Sequence, residues 1–195
     1  MQTSLLKQTV DLVINSRYPE MDKETRDIFE SLLIPQHIQK GEIFMNEGEI
    51  CKDIYFVGKG MLRQYYYKEG KDITEHFSYE GCFLMAIEST IWQKPNYLFA
   101  EALEDAIVYK VSFNEFMRLT QGHWGINLFY RKVLEYSLMV SQQKAYEWRF
   151  NSANEKYHLL FQRHPEVIKR APLIHIASYL NITPETLSRV RATAF

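Results

Sequence analysis

The sequence predicts an α+β protein with N-terminal helices, an antiparallel β-barrel, one long helix and a helical C-terminal part. Between about residues 36 and 112, short β-rich runs alternate with glycines. From Phe113 to about Phe150 the apolar spacing becomes helical, and shorter helical patterns with prolines follow. Strands that are followed by helices, rather than alternating with them, are typical of this fold class.

The composition fits a folded protein with one medium domain or two small ones. The chain has 195 residues, of which 46% are hydrophobic and 14% aromatic, so it can bury a sizeable core and disorder over most of its length is excluded. Its two cysteines, Cys51 and Cys82, cannot form a disulfide framework or hold a cluster that needs four thiolates.

Nothing in the sequence predicts export or membrane insertion. The first residues lack the basic flank and long apolar stretch of a signal peptide. The longest strongly apolar run, residues 82–87, is far too short to span a bilayer. We therefore expect a cytoplasmic protein with no membrane contact.

The β-rich region follows a helix that Asp22 is expected to cap and Pro35 to terminate. Its runs cover residues 42–45, 53–57, 62–67, 72–79, 97–102 and 106–111. Glycines separate several runs at the spacing of an all-β barrel or sandwich, and residues 68–71 have the composition of a hairpin turn. The pattern alone does not distinguish this barrel from another kind of β-sandwich.

The long helix carries a broad apolar stripe after Gly125. About 25 residues would span roughly 38 Å, which is longer than a small domain needs. Long helices with an apolar face are commonly contacts between subunits, so we expect a homodimer through residues 123–149. The alternative is a helix folded back onto the barrel.

Residues 174–190 carry the most specific pattern, two short helices joined by a tight turn. Thr183 can cap the second helix, Pro184 suits its first position, and Asn181 tolerates the positive φ angle of the turn. Glu185, Ser188 and Arg189 share its outward face. The inner face is expected to be apolar, with Ile176, Ala177, Leu180, Ile182, Leu187 and Val190.

This pattern predicts a helix-turn-helix whose second helix enters the major groove of DNA. From residue 151 to residue 195 there are six Lys and Arg residues and three Glu residues, a net charge of +3 that suits a polyanion. An ordinary helical hairpin would share part of the pattern.

Several motifs resemble the Crp/Fnr family of transcription regulators, and the resemblance covers nearly the whole chain. In the barrel it rests on Lys40-Gly41-Glu42, on residues 46–49 (Asn-Glu-Gly-Glu) and on residues 55–60 (Tyr-Phe-Val-Gly-Lys-Gly). In the tail it rests on residues 182–189, which resemble a Bacteroidetes-type branch. The resemblance implies a cyclic-nucleotide-binding-like barrel of jelly-roll type (a double-stranded β-helix), a long dimerisation helix and a C-terminal helix-turn-helix.

The resemblance also implies how the tail contacts double-stranded DNA. Glu185 and Arg189 match the residues that contact bases in the family, and Pro184 stands where many relatives have an Arg, so one base contact is expected to be missing. A structural alternative for Glu185 and Arg189 is a surface ion pair at i and i+4. The candidate DNA-binding residues are Thr183, Glu185, Thr186, Ser188, Arg189 and Arg191.

The expected organisation has three parts. Residues 1–122 form the sensor domain, residues 123–150 the dimerisation helix and hinge, and residues 151–195 the DNA-binding domain. The printed sequence ends at Phe195, so we expect the helix-turn-helix to lack the wing hairpin of longer relatives. RNA polymerase is a further partner that the resemblance implies.

The expected ligand site departs from the family pattern. Cyclic-nucleotide binders place a Gly-Glu pair where Met85 and Ala86 stand, and an Arg-Ser/Thr-Ala run where residues 96–98 stand. A phosphate without its guanidinium would be an unpaired charge, so we expect neither cAMP nor cGMP to bind tightly. The candidate pocket residues are Phe83, Met85, Ala86, Asn96, Tyr97, Leu98 and Phe99, which form either an apolar pocket or a filled core.

No motif predicts an enzyme. The sequence has no P-loop, no Gly-x-Ser-x-Gly and no His-Glu-x-x-His, and we interpret Glu75, Glu88 and Glu101 as barrel surface. No metal site or cofactor is predicted, although six histidines leave haem open. Two functions remain: a dimeric regulator that binds a palindromic operator, or a sensor or interaction module whose helix-turn-helix no longer binds DNA.

Overall fold

The structure is a computed structural model that describes residues 2–193, with side chains for residues 4–192. The helices of this part are α1 (Gln2–Arg17), α2 (Lys23–Leu32), α3 (Ile87–Trp92), α4 (Phe113–Gly122), α5 (Trp124–Phe150), α6 (Ala153–Arg163), α7 (Pro165–Arg170), α8 (Leu173–Tyr179) and α9 (Pro184–Thr193). Its strands are β1 (Ile34–Ile38), β2 (Ile43–Met45), β3 (Asp53–Lys59), β4 (Leu62–Lys68), β5 (Lys71–Ser78), β6 (Phe83–Leu84), β7 (Phe99–Ala102) and β8 (Ala106–Ser112). The chain end, where we expected no wing, is outside the described residues.

The strands pair as one long hairpin folded over on itself. In the described residues β1 pairs with β8, β2 with β7, β3 with β6 and β4 with β5, all antiparallel. The pairs join into two four-stranded sheets, with the orders β1-β8-β3-β6 and β2-β7-β4-β5. This nested pairing is a jelly roll, which confirms the predicted fold class.

Both faces of the first sheet are buried. One face meets the second sheet in an apolar interior that includes Ile38, Val57, Leu62 and Val108. The other face packs against α1, α2, α4 and α5 in a larger core that includes Ile54, Phe56, Phe29 and Phe129. Since successive side chains of a strand point to opposite faces, β3 can supply both cores.

The sequence predicted six of the eight described strands and missed β1 and β6. Pro35 was taken only as the end of a helix, yet it lies within β1, opposite Tyr109 of β8. Because β1 is an edge strand of its sheet, the missing N–H of a proline can be tolerated there. The helix before it starts as predicted, since the Thr25 N–H donates to Asp22 Oδ1 over 2.8 Å.

The long helix α5 has two environments. Near its start, Gly125, Ile126 and Phe129 are buried, and the rings of Phe29 and Phe129 lie 4.8 Å apart. Further along, Leu138 and Met139 are 63% and 72% exposed. The helix therefore folds onto the barrel core with its first turns and presents apolar side chains to solvent after them.

Helices α6 to α9 form a compact unit, which we call the head. Its core contains Tyr157, Leu160, Ile176 and Leu187. The fully buried Met61, which precedes β4, belongs to the same core. The head therefore packs directly against the second sheet.

Gly125 permits the close contact between α5 and α2. A Cβ atom at this position would lie 1.9 Å from Thr25 Oγ1, and Thr25 is itself fully buried. We expect Gly125→Ala to lower the free energy of unfolding by about 1–3 kcal/mol, although alanine normally favours a helix.

Urea unfolding followed by circular dichroism measures this loss. Gly122→Ala is the matched control, because a Cβ there would meet nothing within 4 Å, and it should leave the unfolding midpoint unchanged or raise it. An unchanged midpoint for Gly125→Ala would show that the two helices can separate without cost.

Candidate nucleic-acid interface

The turn between α8 and α9 has the hydrogen bonds of a Schellman motif. Asn181 adopts a left-handed conformation with a φ angle of 54°, as the sequence predicted. Its N–H donates to the Ser178 carbonyl, and the Ile182 N–H donates to the Ala177 carbonyl, each over 3.0 Å. These bonds satisfy carbonyls that a helix end leaves unpaired, so α8 stops sharply and the chain reverses into α9.

The inner face of this helix pair is apolar, as predicted. Ile182 is partly buried against the head core. The other predicted residues are buried: Ile176, Ala177, Leu180, Leu187 and Val190. Because Ala177 has only a methyl group, α8 and α9 can approach closely. The buried side chains of Leu187 and Val190 determine which face of α9 is turned toward the core.

The start of α9 is capped by Thr183. The Thr186 N–H donates to Thr183 Oγ1 over 3.2 Å, and Pro184 is the first helical residue. The backbone N–H of Glu185 and the neighbouring Thr183 hydroxyl favour the ionised carboxylate and lower the pKa of Glu185. The carboxylate is therefore held ionised at the positive end of the helix dipole.

The outer face of α9 presents charged and polar side chains to solvent. Glu185, Ser188 and Arg189 are exposed on one side, and the Arg189 guanidinium donates to Thr186 Oγ1 over 3.2 Å. At 100° per residue, Thr186 and Arg191 lie on opposite flanks of this side. The structure thus brings the predicted DNA-binding residues together along one exposed helix.

The head is held on the barrel by a polar contact surface, which we call the docking interface. From α8, His175 Nδ1 lies 2.8 Å from Nη1 of Arg63 in β4. The Ser178 hydroxyl accepts from the Thr74 N–H over 2.8 Å and donates to the Asp72 carbonyl over 3.0 Å. Since β5 is an edge strand, Ser178 satisfies backbone groups that would otherwise face solvent.

Arg63 is the centre of the docking interface. Its side chain is only 3% exposed, and it bonds to Asp72 over 2.5 Å and 2.7 Å and to Glu101 over 2.7 Å. Its guanidinium also lies over the Tyr65 ring at 4.0 Å. Burial acts to lower the pKa of Arg63, but the bonds to Asp72 and the charge of Glu101 raise it.

A second ion cluster joins α7 to the barrel. The Arg170 guanidinium bonds to Glu80 over 2.7 Å and to Glu104 over 2.6 Å. These hydrogen bonds hold the pKa of Arg170 above its usual range. A further contact joins the head to the barrel at His164, between α6 and α7. Its Nδ1 lies 2.9 Å from the hydroxyl of Tyr79, which follows β5.

The sequence pattern did not predict this interface. We interpreted Glu75 and Glu101 as barrel surface, but Glu101 pairs with buried Arg63, and Glu75 pairs with Lys144 of α5 over 3.2 Å. The clustering of barrel carboxylates around the two arginines could not be detected from the sequence, because Glu101, Glu104 and Glu80 lie 38, 66 and 90 residues from their arginines. Only Asp72, nine residues from Arg63, is close along the chain. Glu88 is exposed, as expected.

The candidate pocket residues do not share one face of the barrel. Phe83 and Met85 point toward α5 and line a cavity of about 20 Å³, whereas Ala86 belongs to the interior between the sheets. Phe99 stacks on Tyr65 with ring centroids 5.2 Å apart. Tyr97 is exposed.

Asn96 and Leu98 occupy the position where the family pattern would place its phosphate-binding residues. Both are buried. The Leu98 N–H donates to Asn96 Oδ1 over 3.0 Å, and Asn96 Nδ2 donates to the Leu98 carbonyl. The polar atoms of Asn96 are thus used within its own segment, and Lys94 is an exposed cation 5.7 Å from the Trp92 ring.

Residues 2–193 contain neither a membrane-spanning helix nor a metal-binding cluster. None of the helices described there is long and apolar enough to cross a membrane. The same residues contain no group of three or more His, Cys, Asp or Glu side chains placed to hold a metal ion.

The chain is similar to known proteins in its central residues and in its fold. Residues 35–123 match the family model "Cyclic nucleotide-binding domain". The structure is similar to FixK2 from Bradyrhizobium japonicum, with a TM-score of 0.66, 20% identity, and coverage of 82% of this chain and 83% of that one. No curated protein matches the sequence at a significant level.

Two further structures are similar over most of their length. The c-di-GMP-responsive global regulator CLP from Xanthomonas campestris has a TM-score of 0.66 at 13% identity, with coverage of 89% of this chain and 91% of that one. A protein assigned to the Crp/Fnr transcriptional regulators from Eubacterium rectale has a TM-score of 0.65 at 16% identity, with coverage of 89% and 83%.

The residues that match the family model cover the jelly roll. Over 89% of its length the chain has the fold of the Crp/Fnr protein from Eubacterium rectale, which confirms the fold that the motifs predicted. The Bacteroidetes-type branch stays a prediction.

Proposed function

We propose that this chain is a transcription regulator without enzymatic activity, and that it binds DNA through α9. The observation that carries the proposal is the orientation of α9. Its apolar face is fixed in the head core, while Glu185, Ser188 and Arg189 project outward on a capped helix. A helix held in this way can enter the major groove with its side chains toward base edges.

The chemistry of the exposed side chains suits base recognition. Arg189 can donate two hydrogen bonds to a guanine edge, and the ionised carboxylate of Glu185 can accept from a cytosine amino group. Thr183 and Thr186 at the helix start, with Arg191 on the flank, are candidate phosphate contacts that would position the helix. Pro184 has no side-chain donor, so the preferred operator differs from that of relatives with an Arg there.

We propose that the protein acts as a homodimer through residues 123–149. Beyond its packed first turns, α5 exposes Leu138, Met139 and Tyr146. Two such helices related by a two-fold axis would bury these side chains and place two recognition helices about 34 Å apart, one turn of DNA. The operator would accordingly be palindromic.

In this proposal residues 1–122 are the sensor domain, residues 123–150 the dimerisation helix and hinge, and residues 151–195 the DNA-binding domain. The sensor has lost its cyclic nucleotide phosphate site. An effector of another kind would act by binding one arrangement of the heads better than another. RNA polymerase is a further proposed partner.

The docking interface favours a second candidate function, a sensor or interaction module that does not bind DNA. Arg63, His175 and Arg170 tie the head to the barrel of the same chain, which would restrict how two heads reach a duplex. The first candidate function requires the protein to bind duplex DNA, and the second requires that it does not.

The DNA-binding proposal predicts a steep loss of affinity with salt, because phosphate contacts release counterions. Duplexes selected from a random pool would be tested in gel shifts across a salt series. Arg189→Ala should weaken binding by about 1–3 kcal/mol and relax selectivity at one base position.

Arg118→Ala is the matched control, since it removes the same charge from an exposed position on α4. It should leave base selectivity unchanged. Undiminished selectivity in Arg189→Ala would show that Arg189 does not contact a base, and the absence of salt-dependent binding would favour the second candidate.

The dimer proposal predicts that a charge on the exposed face of α5 separates the subunits. Met139→Glu places a carboxylate in the proposed apolar contact and should convert a dimer of twice 23.2 kDa into a monomer, as measured by light scattering. Asn114→Glu is the control, because it adds the same charge at an exposed position of α4, outside residues 123–149. A Met139→Glu protein that stays dimeric would place the contact elsewhere.

The altered ligand site predicts that cAMP and cGMP do not bind tightly. Isothermal titration should give a Kd above about 1 mM for each, because Asn96 offers no cation to the cyclic phosphate. A Kd in the low micromolar range would mean that another cation, such as Lys94, replaces the missing guanidinium.

A further inference from the structure

The contact between His175 and Arg63 is the part of the docking interface that depends on a titratable group. Arg63 is 3% exposed, and its Nη1 has three acceptors within reach. They are Asp72 Oδ1 at 2.5 Å, His175 Nδ1 at 2.8 Å and Thr74 Oγ1 at 3.1 Å. Nη1 carries two protons, and the two closest acceptors are Asp72 and His175.

The direction of the hydrogen bond at His175 follows from the chemistry of its partner. A guanidinium has donors only and cannot accept a hydrogen bond. His175 Nδ1 must therefore be the acceptor, and the imidazole must be neutral with its proton on Nε2. A proton on Nδ1 would direct an N–H group at another N–H group and place two cations in contact.

We propose that His175 makes docking of the head sensitive to acid: protonation of the imidazole breaks its bond to Arg63 and releases α8 from β5.

Charges on three strands act on this group. Arg63 of β4 repels a protonated His175, while Asp72 of β5 and Glu101 of β7 attract it. Burial and Arg63 outweigh the two carboxylates, so the pKa of His175 is lowered. The released head would have a histidine of ordinary pKa, about 6.5.

The sign of the pH dependence follows from this difference. Below about pH 6.5 the released head binds a proton that the docked head does not, so acid shifts the equilibrium toward release. With one proton involved, the equilibrium constant for opening rises by up to about tenfold for each pH unit. At neutral pH docking is fully retained.

His164 provides a contrast within the same interface. Its Nδ1 lies 2.9 Å from the Tyr79 hydroxyl, and a hydroxyl can either donate or accept. This contact survives protonation by reversing its direction, but burial lowers the pKa of His164 as well. In β5, burial and Lys144 lower the pKa of His76 to about 4. A variant of His175 therefore has to separate its contribution from theirs.

The test measures docking directly and does not involve DNA, so it is independent of the proposed function. The Thr74 amide donates to Ser178 Oγ, and its hydrogen exchange reports release of the head. Exchange is measured in the full chain from about pH 7.5 to about pH 5.5, corrected for intrinsic rates, with the amides of β3 and β8 as the reference for global opening.

In the wild type, protection of Thr74 should fall by up to about tenfold per pH unit below 6.5, while the reference amides keep theirs. His175→Asn keeps an acceptor near the position of Nδ1 but cannot be protonated, so its Thr74 protection should fall much less with acid than in the wild type. His158→Gln, at an exposed position of the head, should behave as the wild type. Constant protection in the wild type, or the full wild-type pH dependence in His175→Asn, would overturn the proposal.

A second measurement needs no variant. The proton resonances of the His175 ring, followed by NMR, should titrate below the ordinary histidine value. A titration midpoint above that value would mean that the docked head prefers the protonated ring, and it would reverse the sign of the proposed effect.

Discussion

The buried guanidinium of Arg63 constrains how the two halves of this protein fit together. A cation taken out of water costs several kcal/mol unless charged partners and hydrogen bonds replace the solvent. Asp72 and Glu101 supply the charge from neighbouring strands, and His175 of the head accepts a hydrogen bond from Nη1. The buried guanidinium thus has partners on both sides of the docking interface.

The same constraint sets the orientation of α9. Helix α8 lies against β5 through His175 and Ser178, and the Schellman turn at Asn181 fixes the angle at which α9 leaves it. With α8 against the sheet and the head core between the two helices, Glu185, Ser188 and Arg189 of α9 remain exposed. Docking of the head and exposure of the polar face of α9 are therefore compatible within one chain.

Local signals explain why the helix-turn-helix was predictable. Asn181, Thr183 and Pro184 each act on the backbone beside them, and the apolar spacing of two short helices is visible within twenty residues.

The jelly roll was predicted from glycine spacing and motifs, but β1 was missed because Pro35 is as typical of a helix end as of an edge strand. The docking interface was not predictable: Arg63 and His175 are 112 residues apart, and no periodicity connects them. The pocket residues were grouped by the family pattern, although Met85 and Ala86, which follow β6, belong to different cores.

The position of β5 at the margin of its sheet has a further consequence. It is an eight-residue strand, and in the docked protein α8 lies along it and occupies the Thr74 N–H and the Asp72 carbonyl. Unoccupied backbone groups at such a margin are a template on which another polypeptide can add a strand. Release of the head would therefore expose the edge of β5 to pairing with β5 of another chain. At high protein concentration, a mobile head would then favour aggregation.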